Sequence, residues 1–263
     1  MKGFLLSLQS EFYKSRKTLG FWSAILLPLI LMFFVTFGFY IKSEKVAMMP
    51  PLALWAQFSG IPIGIMGSLL LPMYVVFLAY SVNSIEHKSD TWKTLFTLPI
   101  AKWSIYSAKY LYALFLVLLT LMLFAGFTIA FGNLLGVLKP ELRFSDYHME
   151  KELFQIYFKF FLASTGILSL QFVMSLLWKD FLKPMGIGFV GTITGIILVT
   201  AAKWDYAYMI PYSQPLLSVI GTGKKIKGQT GFDLFTNEVL FSLGIALVVY
   251  IIGYFIVERK SVK

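Results

Sequence analysis

Chemistry in a protein needs ionisable or nucleophilic side chains brought together, and this chain offers few. It holds two histidines, His87 and His148, and no cysteine, so thiolate nucleophiles, thiolate metal sites and disulfides are all absent. An apolar run long enough to cross a membrane lies between the two histidines, which places them on opposite sides where they cannot share a metal. There is no H-E-x-x-H helix and no G-x-S-x-G elbow. Gly221-Thr222-Gly223-Lys224 resembles the end of a phosphate-cradling G-x-x-x-x-G-K-[ST] loop, but the earlier glycine is missing and residue 225 is lysine. The match is a chance one. No residue qualifies as catalytic, metal-binding or cofactor-binding, and the chain is not expected to hydrolyse ATP.

The elements around these residues are set by composition. Of 263 residues, 58% are hydrophobic and 14% charged, against about 25% charged in an ordinary soluble domain. Lipid is the solvent that fits. Charged residues delimit six apolar spans, at about 19–41, 60–82, 110–134, 157–178, 184–202 and 238–257, each of the length a hydrocarbon core of about 30 Å requires. The expected fold is an all-α polytopic membrane protein with one transmembrane domain over 1–263. The second uncharged stretch, Val46 to Ile85, is too long for one crossing. Its Pro50, Pro51, Pro62 and Pro72 place the crossing at 60–82 and leave the proline-rich start as a segment on the outer surface. As drawn, the spans enclose no ionisable group, with Lys159 and Glu238 at span ends, where they snorkel to an interface.

The net charge of +10 would suggest nucleic acid in a soluble protein. Here the basic residues sit between apolar spans and read as topology anchors beside anionic lipid headgroups. Lys and Arg are denser in segments 1–18, 83–109, 179–183 and 258–263, which places both termini inside; Lys224, Lys225 and Lys227 argue the other way. The early charges Lys2, Glu11, Lys14, Arg16 and Lys17 do not suit a cleaved signal peptide. Phe4, Leu5, Leu8 and Phe12 recur at helical spacing, so 1–17 reads as an amphipathic helix lying in the inner interface, or else as an extension of the first span. The loop 203–238 carries Tyr206, Tyr208, Tyr212, Pro211 and Pro215 and is too apolar for a solvated loop. It is either re-entrant in the outer leaflet or a cap on the bundle.

The segment between spans two and three is the most informative. Ser89, Asp90 and Thr91 are helix N-cap types. Trp92, Leu95 and Phe96 then share one face, and Pro99 ends the helix. A helix of two turns is marginal alone. It needs a surface, either a groove on a partner protein or this protein's own inner face.

Glu86, then Thr91-Trp92-Lys93-x-Leu95-Phe96-x-Leu98-Pro99-Ile100, then Lys109 before the third span, resembles the corresponding loop of type 2 ABC transporter permeases. The tryptophan-lysine version is similar to permeases of lantibiotic immunity and bacitracin export. Glu11-Phe-Tyr-Lys14-Ser-Arg16-Lys17-Thr18 and Pro211-Tyr-Ser-x-Pro215 resemble the family's start and its approach to the last span. The resemblance implies a bacterial cytoplasmic-membrane exporter. Two ABC ATPase subunits, which bind the ATP and Mg²⁺, would pair with this chain and with a second or sibling permease. It also implies that the helix from Thr91 to Leu98 couples to the ATPase, with Glu86, Thr91, Trp92, Leu95, Phe96 and Pro99 as site residues. The cargo would be an amphipathic peptide antibiotic, a drug or a lipid, and the substrate-binding residues are not legible. The alternative is a non-transporting sensor or scaffold that recruits a cytoplasmic partner through the same loop.

Overall fold

A computed structural model describes residues 2–97, 99–226 and 232–259, and among them every regular element is helical. Six helices are long and apolar enough to cross a membrane, as expected of an all-α integral membrane protein.

Helix α1, Lys2–Ser15, precedes the first of these, α2, Leu19–Ile41. Thr18 separates them, its hydroxyl accepting from the Phe21 amide at 3.3 Å and so capping α2. Gly20, Ala24, Pro28, Met32 and Thr36 bury one narrow stripe of α2, repeating every four residues as the helical period requires. The opposite face, with Phe33, Phe34 and Phe37, is exposed, as a lipid-facing surface is.

The second long helix differs from expectation. Pro51–Ser89 is a single helix of 39 residues, here α3, and its proline-rich start is part of it. At 1.5 Å per residue it extends about 58 Å, nearly twice a hydrocarbon core. Proline needs relief inside a helix because it lacks the amide and collides with the preceding turn. That relief is a π turn at Met66–Leu70, immediately before Pro72. α3 ends at Asp90, which takes a left-handed backbone with φ 51°. The short helix α4, Trp92–Thr97, follows. Then comes α5, Lys102–Leu138, 37 residues long. The expected inner loop 83–109 is therefore mostly helix, and α3 and α5 run through it from either side.

Helix α6, Glu150–Leu177, is the central column, packed against α3, α5 and the last helix. α7, Leu182–Thr200, touches the bundle along Pro184, Gly188, Thr192 and Gly195. Helix α8, Gln214–Ile226, is preceded by 3-10 turns at Ala207–Met209 and Pro211–Ser213, and α9, Asn237–Arg259, closes the chain.

The segment before α9 folds back into the bundle. A Cβ added at Gly191, half-way along α7, would lie 2.6 Å from the Tyr212 ring. One at Gly195 would lie 2.8 Å from the Tyr212 carbonyl carbon, so bare backbone is what lets the two chains meet. Gly67, in the π turn of α3, faces Val219 and the Pro215 carbonyl in the same way. Tyr212, Ser213, Gln214 and Ser218 are buried, so the segment packs into the helix bundle rather than standing as a solvated loop. Its irregular backbone is covered by protein, as a membrane interior demands. Thr222 through Lys227, with the lysine cluster and most of the Gly-Thr-Gly-Lys run, have side chains outside the described residues.

The expectation that Lys159 and Glu238 snorkel outward is corrected. Lys159 is 3% exposed and its ammonium lies 3.1 Å from the Glu238 carboxylate. The pair joins α6 to α9 beside Gly221 of α8. A paired charge meets its partner inside protein at less cost than either would meet lipid alone.

Candidate functional site

Four charged residues from three helices meet at the end of the bundle that carries α1 and α4. Glu11 and Lys14 come from α1, Glu86 from α3 and Lys109 from α5. The Lys109 ammonium lies 3.0 Å from Glu11 and 2.5 Å from Glu86. The Lys14 ammonium lies 2.9 Å from Glu11 and 3.0 Å from Glu86. The four form a closed ring of alternating sign with no net charge. Lys109 also donates to the Val82 carbonyl at 3.3 Å, and its side chain is wholly buried. Glu11 and Glu86 are buried as well, so α1 is joined to α3 and α5 by buried charge in addition to apolar packing. Burial alone would lower the pKa of Lys14, but the carboxylates of Glu11 and Glu86 outweigh it and hold it above the ordinary lysine value.

The local sequence explains the arrangement. Ser7, Glu11 and Ser15 repeat every four residues, so they form one polar stripe of α1, and this stripe is the buried one. Ser15 shares a short hydrogen bond with the Tyr112 hydroxyl of α5. The four residues expected to face lipid behave differently from one another. Leu5 is exposed, at 56%. Phe12 packs edge-on against Tyr112 at 4.9 Å, Phe4 stacks on Trp103, and Leu8 packs against the core.

Helix α4 is rooted beside this ring. The Thr91 carbonyl accepts from the Leu95 amide at 2.9 Å, and the Thr91 amide bonds the Glu86 carbonyl at 3.1 Å, so Thr91 both starts α4 and ties it to the end of α3. The Trp92 ring faces inward and packs against the core. The Lys109 ammonium lies 5.6 Å from its centroid, within cation–π range. Its indole N–H donates to His87 Nδ1 at 3.2 Å. Leu95 is half-buried, and Thr94, Thr97 and Pro99 are exposed. The Phe96 side chain and Leu98 lie outside the described residues. Of the expected site residues, Glu86, Thr91 and Trp92 thus come together, with Trp92 turned toward the bundle rather than away from it.

Glu11, Lys14 and Lys109 stood in the sequence as separate motif fragments, and their convergence was not read from it. The four-residue spacing of Ser7, Glu11 and Ser15 was the available signal. His87, assigned to a loop, lies in the last turn of α3.

A family model for an ABC-2 family transporter protein matches residues 7–195, which spans the ring, α4, the first four membrane helices and most of the fifth. No curated protein and no solved structure matches the chain. The match covers most of the chain, which is therefore a membrane-embedded member of the ABC-2 transporter family, a group of permease subunits that generally pair with ABC ATPases.

Proposed function

We propose that the chain is the permease subunit of an ATP-driven exporter in a bacterial cytoplasmic membrane, with both termini and α4 on the cytoplasmic side. In this reading α4 is the coupling helix, and ATP and Mg²⁺ are bound by two separate ATPase subunits. A second copy or a sibling permease completes the pathway. One observation carries the proposal. A two-turn helix too short to stand alone is rooted through Trp92 in a buried ring of charge that also holds α1 and α5, while Thr94, Thr97 and Pro99 stay exposed on it. Force applied at that exposed face would reach three helices through short, stiff contacts. ATP binding to the partner supplies the differential affinity that a two-state switch requires. The cargo class is an amphipathic peptide antibiotic, drug or lipid, in keeping with spans rich in Phe, Leu and Met.

The test is co-purification. Thr94→Arg with Thr97→Arg places two long cations on the exposed face of α4 and leaves its root intact. The double variant should insert in the membrane at normal yield and lose its ATPase. Retention of the ATPase at full stoichiometry would remove α4 as the docking element.

A further inference from the structure

His87 makes two hydrogen bonds that only one protonation form satisfies together. The Trp92 indole N–H is a donor without acceptor capacity, and it approaches His87 Nδ1 at 3.2 Å. Nδ1 must then accept, so the ring proton sits on Nε2. Nε2 lies 2.8 Å from the Ser175 carbonyl oxygen, which only accepts. Ser175 is in the last turn of α6, which ends at Leu177. Its carbonyl belongs to the group that a helix terminus leaves without an intrahelical partner. The imidazole thus caps α6 with one nitrogen and holds the first residue of α4 with the other, the two rings lying 5.7 Å apart.

The neighbouring contacts make this a stiff link rather than an isolated bond. Tyr80, Asn83 and His87 lie on one face of α3, at helical spacing. Tyr80 donates to the Lys179 carbonyl at 3.1 Å. The Asn83 amide donates to the Ser175 hydroxyl at 2.8 Å and to the Phe172 carbonyl at 3.2 Å. Just beyond that face, the Asp90 carboxylate receives the Lys179 ammonium at 2.9 Å.

We infer that His87 is a positioning residue that transmits displacement of α4 directly to the end of the central helix α6, through Trp92–His87–Ser175. The route is separate from the charge ring, which joins α4 to α1 and α5. The inference rests on the reading of α4 as the coupling helix.

Two substitutions divide the link. His87→Asn places a carboxamide near the position of Nδ1, keeping an acceptor for Trp92 and losing the reach to Ser175. His87→Gln places one near Nε2, keeping the donor to Ser175 and losing the acceptor. The chain has six tryptophans, so its ¹⁵N-labelled indoles give six correlations in nanodiscs, and Trp92→Phe assigns one. That resonance should stay in place in His87→Asn. In His87→Gln it should move upfield, its proton exchanging with solvent about fivefold faster, as loss of one ordinary hydrogen bond gives. In the complex with the co-purifying ATPase, both variants should lower kcat for ATP hydrolysis by about fivefold, with KM for ATP and ATPase yield unchanged. An indole signal indifferent to His87→Gln, or wild-type kcat in both variants, would overturn the inference. If no ATPase accompanies the wild-type chain, the coupling reading fails instead, and the indole measurement still decides whether the His87 link exists.

Discussion

Replacing Lys109 by methionine removes one member of the four-charge ring and leaves its shape nearly filled. Lys109 is wholly buried and contacts Glu11 at 3.0 Å and Glu86 at 2.5 Å. Without it, two buried carboxylates share the single cation of Lys14, and the ring carries an uncompensated negative charge. Breaking a buried ion pair by removing one partner costs about 3–5 kcal/mol. At about 1.4 kcal/mol per tenfold, that shifts the equilibrium by about a hundredfold to a few thousandfold. The cost can be relieved locally, because α1 can undock and take Glu11 and Lys14 to water while the membrane helices stay in place. Arg16 and Lys17, at the exposed end of α1, provide the readout. Trypsin should cut there far faster in Lys109→Met than in the wild-type chain, both held in nanodiscs. Adding Glu86→Gln restores neutrality, since Lys14 and Glu11 remain as one pair, and should recover much of the protection. The double-mutant cycle should show a coupling of about 1–3 kcal/mol. Wild-type cleavage in Lys109→Met, or strictly additive effects in the double variant, would refute the ring as the element that docks α1.

Lys14 gives the docking a pH signature. Its pKa is held above the ordinary value by Glu11 and Glu86, so its contribution is fully present below the unfolded lysine pKa of about 10.4 and is lost only as pH rises through the higher folded value. Protection of the α1 amides, taken relative to their intrinsic exchange rate at each pH, should hold up to about pH 10 and fall above it, and Lys14→Met should lower that protection already at neutral pH. Gly195→Ala would drive a methyl group to 2.8–2.9 Å from the Tyr212 and Ser213 backbone. Overpacking of this kind costs about 1–3 kcal/mol, and a melt in detergent should show a lowered Tm with the segment around Tyr212 newly open to protease. Glu238→Gln leaves the buried Lys159 ammonium without its counter-charge. It should destabilise the contact of α6 with α9 more than Glu238→Gln combined with Lys159→Met does, as read by Tm across the cycle.

The six membrane helices were legible because each is an apolar run bounded by charge, and the bilayer permits such a run little else. Helix ends were not. Residues 83–89 and 102–109 are polar enough to read as a loop, yet they continue α3 and α5, because Glu86 and Lys109 neutralise each other inside the bundle. A rule that ends a span at the first charge fails where the charge has a partner, and the partner lies on another helix that sequence order does not bring near. Lys159 was misplaced for the same reason, since Glu238 stands on α9. The proline-rich start at 50 and 51 suggested a segment outside the crossing, yet Pro51 opens α3, a position where the missing amide has no helical partner to lose. For α4, which runs over Trp92–Thr97, a helix of about two turns between the Ser89–Thr91 cap candidates and Pro99 followed from local chemistry. That Trp92 turns inward did not, since both its partners, His87 and Lys109, come from the flanking long helices.

The most direct test of the central claim is a gentle detergent pull-down of the tagged chain from its native cells, with partners identified by mass spectrometry. A permease that couples through α4 should bring down an ABC ATPase in stoichiometric amount. A clean preparation of the chain with no ATPase, or with a kinase or other recruited protein in its place, would contradict the transporter reading and favour a scaffold that uses the same helix.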